Sequence, residues 1–400
     1  MQTKSVFMFP PPPVFFYARR MKKPKLQKVL GQPSWHLATK NVELFVTRTG
    51  GHVGPITFQL GRRKIQPMSV APWCQEKSAA SLIPLLHALR GDFFCLPFGG
   101  NAKPWRGEKH PPHGETANGV WDIEALLTDH GTYCLHLSME TKVRPGTVDK
   151  LLFLREGHTA VYCRHLLSGF RGPINPGHHA MLRFPDEPGS GIISTSRFVY
   201  GQVFPEDFER PEQGGYSILK NGAVFDSLEK VPLRTGGATD LTRYPARRGF
   251  EDLVMIVADE QLPFAWTAVA FPGEGYAWFA LKNPRVLRNT VFWISNGGRH
   301  YPPWSGRHVN VMGLEEVTAY FHYGLCESVQ PNPISKRGHP TCVQLEPEQS
   351  FEIDYIMAVA PIPSGFKQVA KIEPVKNGVC LVPPRGRPVN VPLALEFLDL

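Results

Sequence analysis

The sequence predicts an all-β protein built as one large antiparallel β-sandwich, and three observations carry that reading. The chain holds 37 Gly and 39 Pro, which punctuate short β-branched and aromatic runs, the pattern of many strands joined by turns and longer loops. No β-α-β alternation appears, which disfavours a doubly wound parallel sheet. No segment recurs at a fixed period, which disfavours a solenoid. Of 400 residues, 42% are hydrophobic and 11% aromatic, enough to bury a sizeable core.

In chain order, residues 1–35 read as a basic, proline-rich, disordered leader. The run Pro10 to Pro13 interrupts any apolar stretch well before signal-peptide or transmembrane length, and Met21 opens a plausible chain of its own. The sandwich is expected over 36–375. VELFVTRTGGHVGPITFQL (42–60) reads as two strands around Gly50 and Gly51, whose tolerance of positive φ suits a hairpin turn. Further strand-like runs lie at 133–143, 148–156, 159–169, 264–271, 276–283, 290–296, 317–323 and 351–361. SAASLIPLLHALRG (78–91) is the one convincing helix, with Leu82, Leu85, Leu86 and Leu89 at helical spacing, Pro84 confined to its first turns and Gly91 at a stop position. Residues 376–400 read as an extended C-terminal tail that runs along the body or pairs at an edge.

Charge and cysteine usage narrow the function classes. The net charge is +9, but eight cations (Lys4, Arg19, Arg20, Lys22, Lys23, Lys25, Lys28 and Lys40) and no Asp or Glu fall in the first forty residues. The remainder is therefore close to +1, and no nucleic-acid-steering field over the folded body is implied. No membrane partner is expected either. The seven cysteines are odd in number, scattered and free of any C-x-x-C pair, which disfavours a disulfide framework or a cysteine-rich zinc site and suits a cytoplasmic address.

Three clusters concentrate groups able to titrate or to bind a polar ligand. The first, LPFGGNAKPWRGEKHPPHGETANGVW (96–121), is a long Gly/Pro-shaped loop displaying Asn101, Arg106, His110, His113, Glu115, Asn118 and Trp121. Long loops in compact domains are often functional. The second, INPGHHAMLRF (174–184), places His178 and His179 side by side at a strand start, where neighbouring residues point to opposite faces, so one of the two enters a given cleft. The third, 293–324, carries Glu315 and Glu316 at the entrance of a strand, with the same consequence. H-P-P-H has two stiffening prolines and no i, i+4 helical geometry, so a metal site on His110, His113 and Glu115 is disfavoured, and neither a metal nor a cofactor is expected.

In chain order these clusters resemble the galactose mutarotase (aldose 1-epimerase) superfamily, over residues 40–362. GGHVGPITF (50–58) resembles its early hairpin, HPPHGETANGVW (110–121) its His-Gly loop ending in a Trp, HHAML (178–182) the segment carrying its acidic histidine, and GLEEV (313–317) the segment carrying its catalytic glutamate. The resemblance implies the large antiparallel supersandwich of that family, with a sugar, mono- or oligosaccharide, lying across one face. It also implies general acid/base interconversion of the anomers of a free aldose. Carried over by residue, Glu315 would be the general base, His179 the proton donor with His178 as fallback, and His113 the group steadying charge on the ring oxygen. Glu251 or Asp252 falls near the family's acidic sugar-binding residue. Asn101 is followed by no Arg, a departure that leaves Arg106 as a candidate for the arginine contact, and Glu115 stands where the family shows a small residue. Trp121, Trp293 or Trp304 would wall the sugar's C–H face, and Asn118, Asn296 and Arg307 would bind hydroxyls. The same fold also hosts the alternatives of a non-catalytic carbohydrate-binding protein, a sugar lyase or hydrolase, and a metal-dependent isomerase.

Overall fold

Two antiparallel sheets sandwich the main core in the computed structural model, which describes residues 19–398. The ten-stranded sheet runs, edge to edge, through 19–21, 122–129, 132–141, 146–155, 160–168, 351–361, 276–282, 265–271, 191–195 and 243–244. The eight-stranded sheet carries the order 224–225, 198–203, 250–258, 289–296, 311–317, 177–178 and 94–95, with Ala180–Arg183 also paired to Val311–Val317. A five-stranded sheet formed by residues 27–65 closes one side.

Three apolar clusters define the layers. One fills the space between the sheets, with Trp278, Tyr355 and Val359 facing Phe292, Ile294 and Leu314. A second lies on the outer face of the ten-stranded sheet, where Phe279 and Ile356 are covered by Val379, Leu381 and Val391. The third lies on the far face of the eight-stranded sheet and contains Phe93, Leu253, Trp293 and Trp304. Strands Asn289–Asn296 and Val311–Val317 are therefore buried on both faces, which is why their apolar runs are nearly continuous instead of alternating.

Most strand expectations match the structure closely, including 351–361 and the hairpin of Val42–Thr47 with Val53–Leu60, where Gly50 and Gly51 adopt φ of 75° and 59°. Four expectations need correction. The helix over 78–91 is instead a 3-10 turn at Lys77–Ser81 and a short α-helix at Pro84–Ala88. Pro84 has no N–H to continue a helix from the preceding turn, so the segment restarts there with Pro at the first position. The strand expected at 317–323 ends at Val317. Phe321, with φ of 48°, turns the chain back over the cleft face. The disordered leader through residue 35 is corrected from Arg19 on: Arg19–Met21 pairs with the edge strand Asp122–Asp129, and Arg20 and Lys23 donate to the carbonyls of Glu124 and Ile123. Gln27–Val29 pairs with Gln32–Ala38. Unpaired edge carbonyls are strong acceptors, and long cations reach them at little cost. Residues 1–18 lie outside the described residues. The C-terminal stretch expected as an extended tail is a three-stranded sheet of Lys371–Val375, Gly378–Val382 and Val389–Pro392, because its apolar residues cover the outer face of the ten-stranded sheet.

Glu316 and Lys282, both buried between the sheets, are paired. Glu316 accepts from Thr267 and Thr290, both at 2.7 Å, and forms an ion pair with Lys282. Lys282 donates to the carbonyl of Asn289 at 2.7 Å. Burial pulls the Lys282 ammonium below its ordinary pKa while the Glu316 carboxylate pushes it back. Removing one partner leaves the other charged in a low-dielectric interior. Lys282→Met and Glu316→Leu, made singly, are each expected to destabilise the fold by about 3–5 kcal/mol, and the double variant to regain most of that loss. Urea unfolding of the four proteins measures this, and two single variants at parental stability would contradict it.

Candidate active site

The site is a cleft of about 270 Å³ on the far face of the eight-stranded sheet. Its chemistry is set first by strand alternation. Adjacent residues of an extended strand project to opposite faces, and this parts both suspicious pairs. His178 turns into the sandwich, where its Nδ1 lies 2.9 Å from Asp92 and its ring stacks on Tyr355 at 4.4 Å. His179 turns into the cleft. Glu316 turns inward to Lys282, and Glu315 lines the cleft beside His179, with its Oε1 3.2 Å from His179 Nε2.

Phe93 locks the histidine in place. Its ring stacks on His179 at 4.4 Å and 18°, and on its other side on His52 at 4.3 Å and 20°. The His179 amide donates to the Phe93 carbonyl at 2.9 Å. Burial, with neighbouring histidines adding to it, lowers the His179 pKa to about 3, and burial raises the Glu315 carboxyl well above its usual range. Both shifts disfavour charge, so the resting pair is neutral overall, with one labile proton between Glu315 and His179.

His113 approaches from the 96–121 loop, its ring 5.0 Å from that of His179 and edge-on to it. His113 and Gly114 both have positive φ, 58° and 75°, and a Cβ on Gly114 would lie 1.9 Å from the Leu96 carbonyl oxygen. Glycine is thus required where the loop folds under the cleft. The Gly99 amide donates to His113 Nδ1 at 3.4 Å. This hydrogen bond assigns the ring proton to Nε2, the nitrogen left to donate to a ligand. Burial keeps the ring neutral, with a pKa well below its ordinary value.

Trp293 and Trp304 line the cleft, their rings 5.8 Å apart and nearly perpendicular. Trp121 does not. It is fully buried in the inter-sheet core, donates to the Thr116 carbonyl at 3.0 Å, and packs so closely on Gly51 that a Cβ there would lie 2.7 Å from its Nε1. Glu251 sits beneath the floor, accepting from Trp293 Nε1 at 3.1 Å and Ser295 Oγ at 2.9 Å, and burial raises its pKa to about 7. Asp252 faces the opposite way and accepts the backbone amides of Ile218 and Leu219.

The remaining polar residues of the sequence reading brace loops or lie at the surface. Asn101 donates to the carbonyls of Pro97, Gly99 and Pro111 and accepts the Leu325 amide at 3.0 Å. Asn118 donates to Pro112 and Gly114 and accepts the Leu85 amide at 3.1 Å, satisfying an N–H at the start of the short helix. Asn296 donates to Ala246 and accepts the Asn310 amide. Arg106 is exposed and lies over the Trp105 ring, and Arg307 is exposed and paired with Glu76. None of these five lines the cleft. The trio weighed as a metal set is dispersed: His110 lies 2.9 Å from Glu108, and Glu115 accepts the backbone amides of Lys142 and Val143. Among the described residues no group of three His, Cys, Asp or Glu could hold a metal ion.

Two polar lining residues escaped the sequence reading. Arg299 donates to Glu209 at 2.5 Å and lies over the rings of Trp304 and Phe208 at 4.6 and 5.3 Å. It is the arginine of the cleft, supplied by the loop after Asn289–Asn296 and not by the loop before His113. A cation in the Gly/Pro/aromatic-rich NGGRHYPPW was the available signal. His322, lowered to about pKa 4 by burial, was hidden in the run taken for a strand.

No protein-family model matches the chain, and no curated protein matches it in sequence. Solved structures do. A candidate aldose 1-epimerase from Escherichia coli K12 superposes with a TM-score of 0.54 at 13% identity, over 83% of this chain and all of that one. A galactose mutarotase-like protein from Clostridium acetobutylicum gives 0.52 at 11% identity, covering 84% of this chain and 98% of its own. A galactose mutarotase related enzyme from Lactobacillus acidophilus gives 0.52 at 10% identity, covering 82% and 97%. With its two large antiparallel sheets in this arrangement, the chain has the galactose mutarotase-like β-sandwich fold.

Proposed function

We propose that the protein is an anomerase of a free aldose, acting through Glu315 and His179. The observation that carries this reading is the 3.2 Å contact between these two side chains in a cleft walled by Trp293 and Trp304. The C1 hydroxyl and the ring oxygen of a hemiacetal share one carbon, so a single sugar can meet both groups. In the ion-pair form of the dyad, the Glu315 carboxylate takes the proton of the C1 hydroxyl while the His179 imidazolium protonates the ring oxygen. The C1–O5 bond breaks, C1 becomes an aldehyde, and the pair is left as carboxylic acid and neutral imidazole. That is the form burial favours, so the chemical step discharges the less stable charge state of the pair. Rotation about C1–C2 and the reverse transfers close the other anomer and restore the dyad. His113, a neutral donor through Nε2, is placed to steady the ring oxygen. A cleft of about 270 Å³ suits one monosaccharide unit.

Among the described residues no helix is long and apolar enough to cross a membrane. We place the protein in the cytoplasm on its seven free cysteines.

Polarimetry of freshly dissolved α-D-glucose and α-D-galactose tests the activity. Glu315→Gln and His179→Asn are each expected to slow catalysed mutarotation by about 10²–10⁴, with folding unchanged by circular dichroism. Parental rates in both variants would exclude the dyad.

The pH profile provides a separate check. Activity needs one proton on the pair. Burial lowers His179 to about 3, so the second proton arrives, and activity falls, near pH 3. Burial raises Glu315, so the shared proton is lost, and activity falls again, well above the usual carboxylate range. The acid limb should lie near pH 3, whereas an acid limb at the ordinary histidine value of about 6.5 would contradict the assignment.

A further inference from the structure

Hydroxyl-rich ligands need partners when they are buried, since an unpaired hydroxyl loses its water without compensation, and this cleft offers few. No Asn, Gln, Asp, Ser or Thr is among the described residues that line it. Asn118, Asn296 and Arg307, the side chains expected to bind hydroxyls, are committed to loops or to the surface, as are Asn101 and Arg106. What faces the ligand beyond the dyad, His113, His322 and Arg299 is apolar. Ile83, Leu85, Leu86 and Leu89 come from the broken helical segment, and Phe208 and Leu253 complete the wall. Ile83 is 45% exposed, a large aliphatic group at the mouth of a catalytic cleft. The sheet face supplies the dyad, Leu253 and one tryptophan, so the Ile83–Leu89 wall is an addition made by a single short segment.

Resting on the anomerase reading above, we propose that the substrate is a reducing sugar carrying an apolar group away from C1, of the deoxy, O-alkyl or O-acyl class. The free C1 hydroxyl is required by the dyad, and the apolar group replaces a hydroxyl that the Ile83–Leu89 wall could not satisfy. Removing one hydroxyl removes a desolvation cost, and each added methylene against the wall adds about fourfold in affinity.

The test compares D-glucose and D-galactose with their 6-deoxy and 6-O-butanoyl derivatives, by polarimetric kcat/KM and by calorimetric binding to the full chain. The substituted sugar of at least one series is expected to exceed its parent by about tenfold or more in kcat/KM. Ile83→Asn and Leu86→Asn should bring that ratio close to one. Parent sugars turned over as well as or better than every derivative would overturn this inference and leave the anomerase reading standing. If no sugar is accelerated, the anomerase reading fails. Calorimetry then decides the ligand class alone: tighter binding of derivatives than of parents sustains it, and equal, weaker or absent binding overturns it.

Discussion

Everything at the cleft depends on the two-residue period of one pleated sheet that is buried on both sides. The eight-stranded sheet has the inter-sheet core on one face and the cleft on the other. A residue pair such as His178–His179 or Glu315–Glu316 is therefore divided between the inter-sheet core and the cleft. A register slip of one residue in Val311–Val317 would send Glu316 to the cleft and leave Glu315 facing Lys282. The pairing of Val291 with Glu315 and Thr290 with Glu316 in the neighbouring strand holds that register. The hydrogen bonds and ion pair of Glu316 hold it from the other side.

The inward partners also make the reactive ones possible. His178 and Asp92 meet inside the sandwich, next to Phe93, whose ring supports His179 from the cleft side. Each half of the pair thus stabilises the position of the other through the backbone they share. Burial on both faces removes water from the dyad, and this is the physical cause of the opposed displacement of its two pKa values. A carboxyl driven up and an imidazole driven down both favour the uncharged forms of the two groups.

The rim of the cleft follows another logic. The 77–91 segment and the 96–121 loop belong to neither large sheet, and their polar residues are spent on shaping backbone, as Asn101, Asn118 and Glu115 illustrate. Their outward contribution is His113 and a set of aliphatic side chains. Glu315 thus rests on a rigid strand, while the aliphatic lining comes from a segment outside the sheets.

Read alone, the sequence determined the strand content, the hairpin at Gly50–Gly51 and the separation within both adjacent pairs. These follow from local periodicity and from the chemistry of residue types, which need no knowledge of neighbours. Tertiary structure alone decided which member of each pair faces the cleft, since alternation yields two faces without saying which is which. It also decided that Arg299 and not Arg106 supplies the guanidinium, and that the Asn side chains serve the backbone. A polar loop residue reads the same in sequence whether it turns to a ligand or to a carbonyl six residues away. Packing settles that choice, because a buried amide left without a partner costs more than the loop can spare.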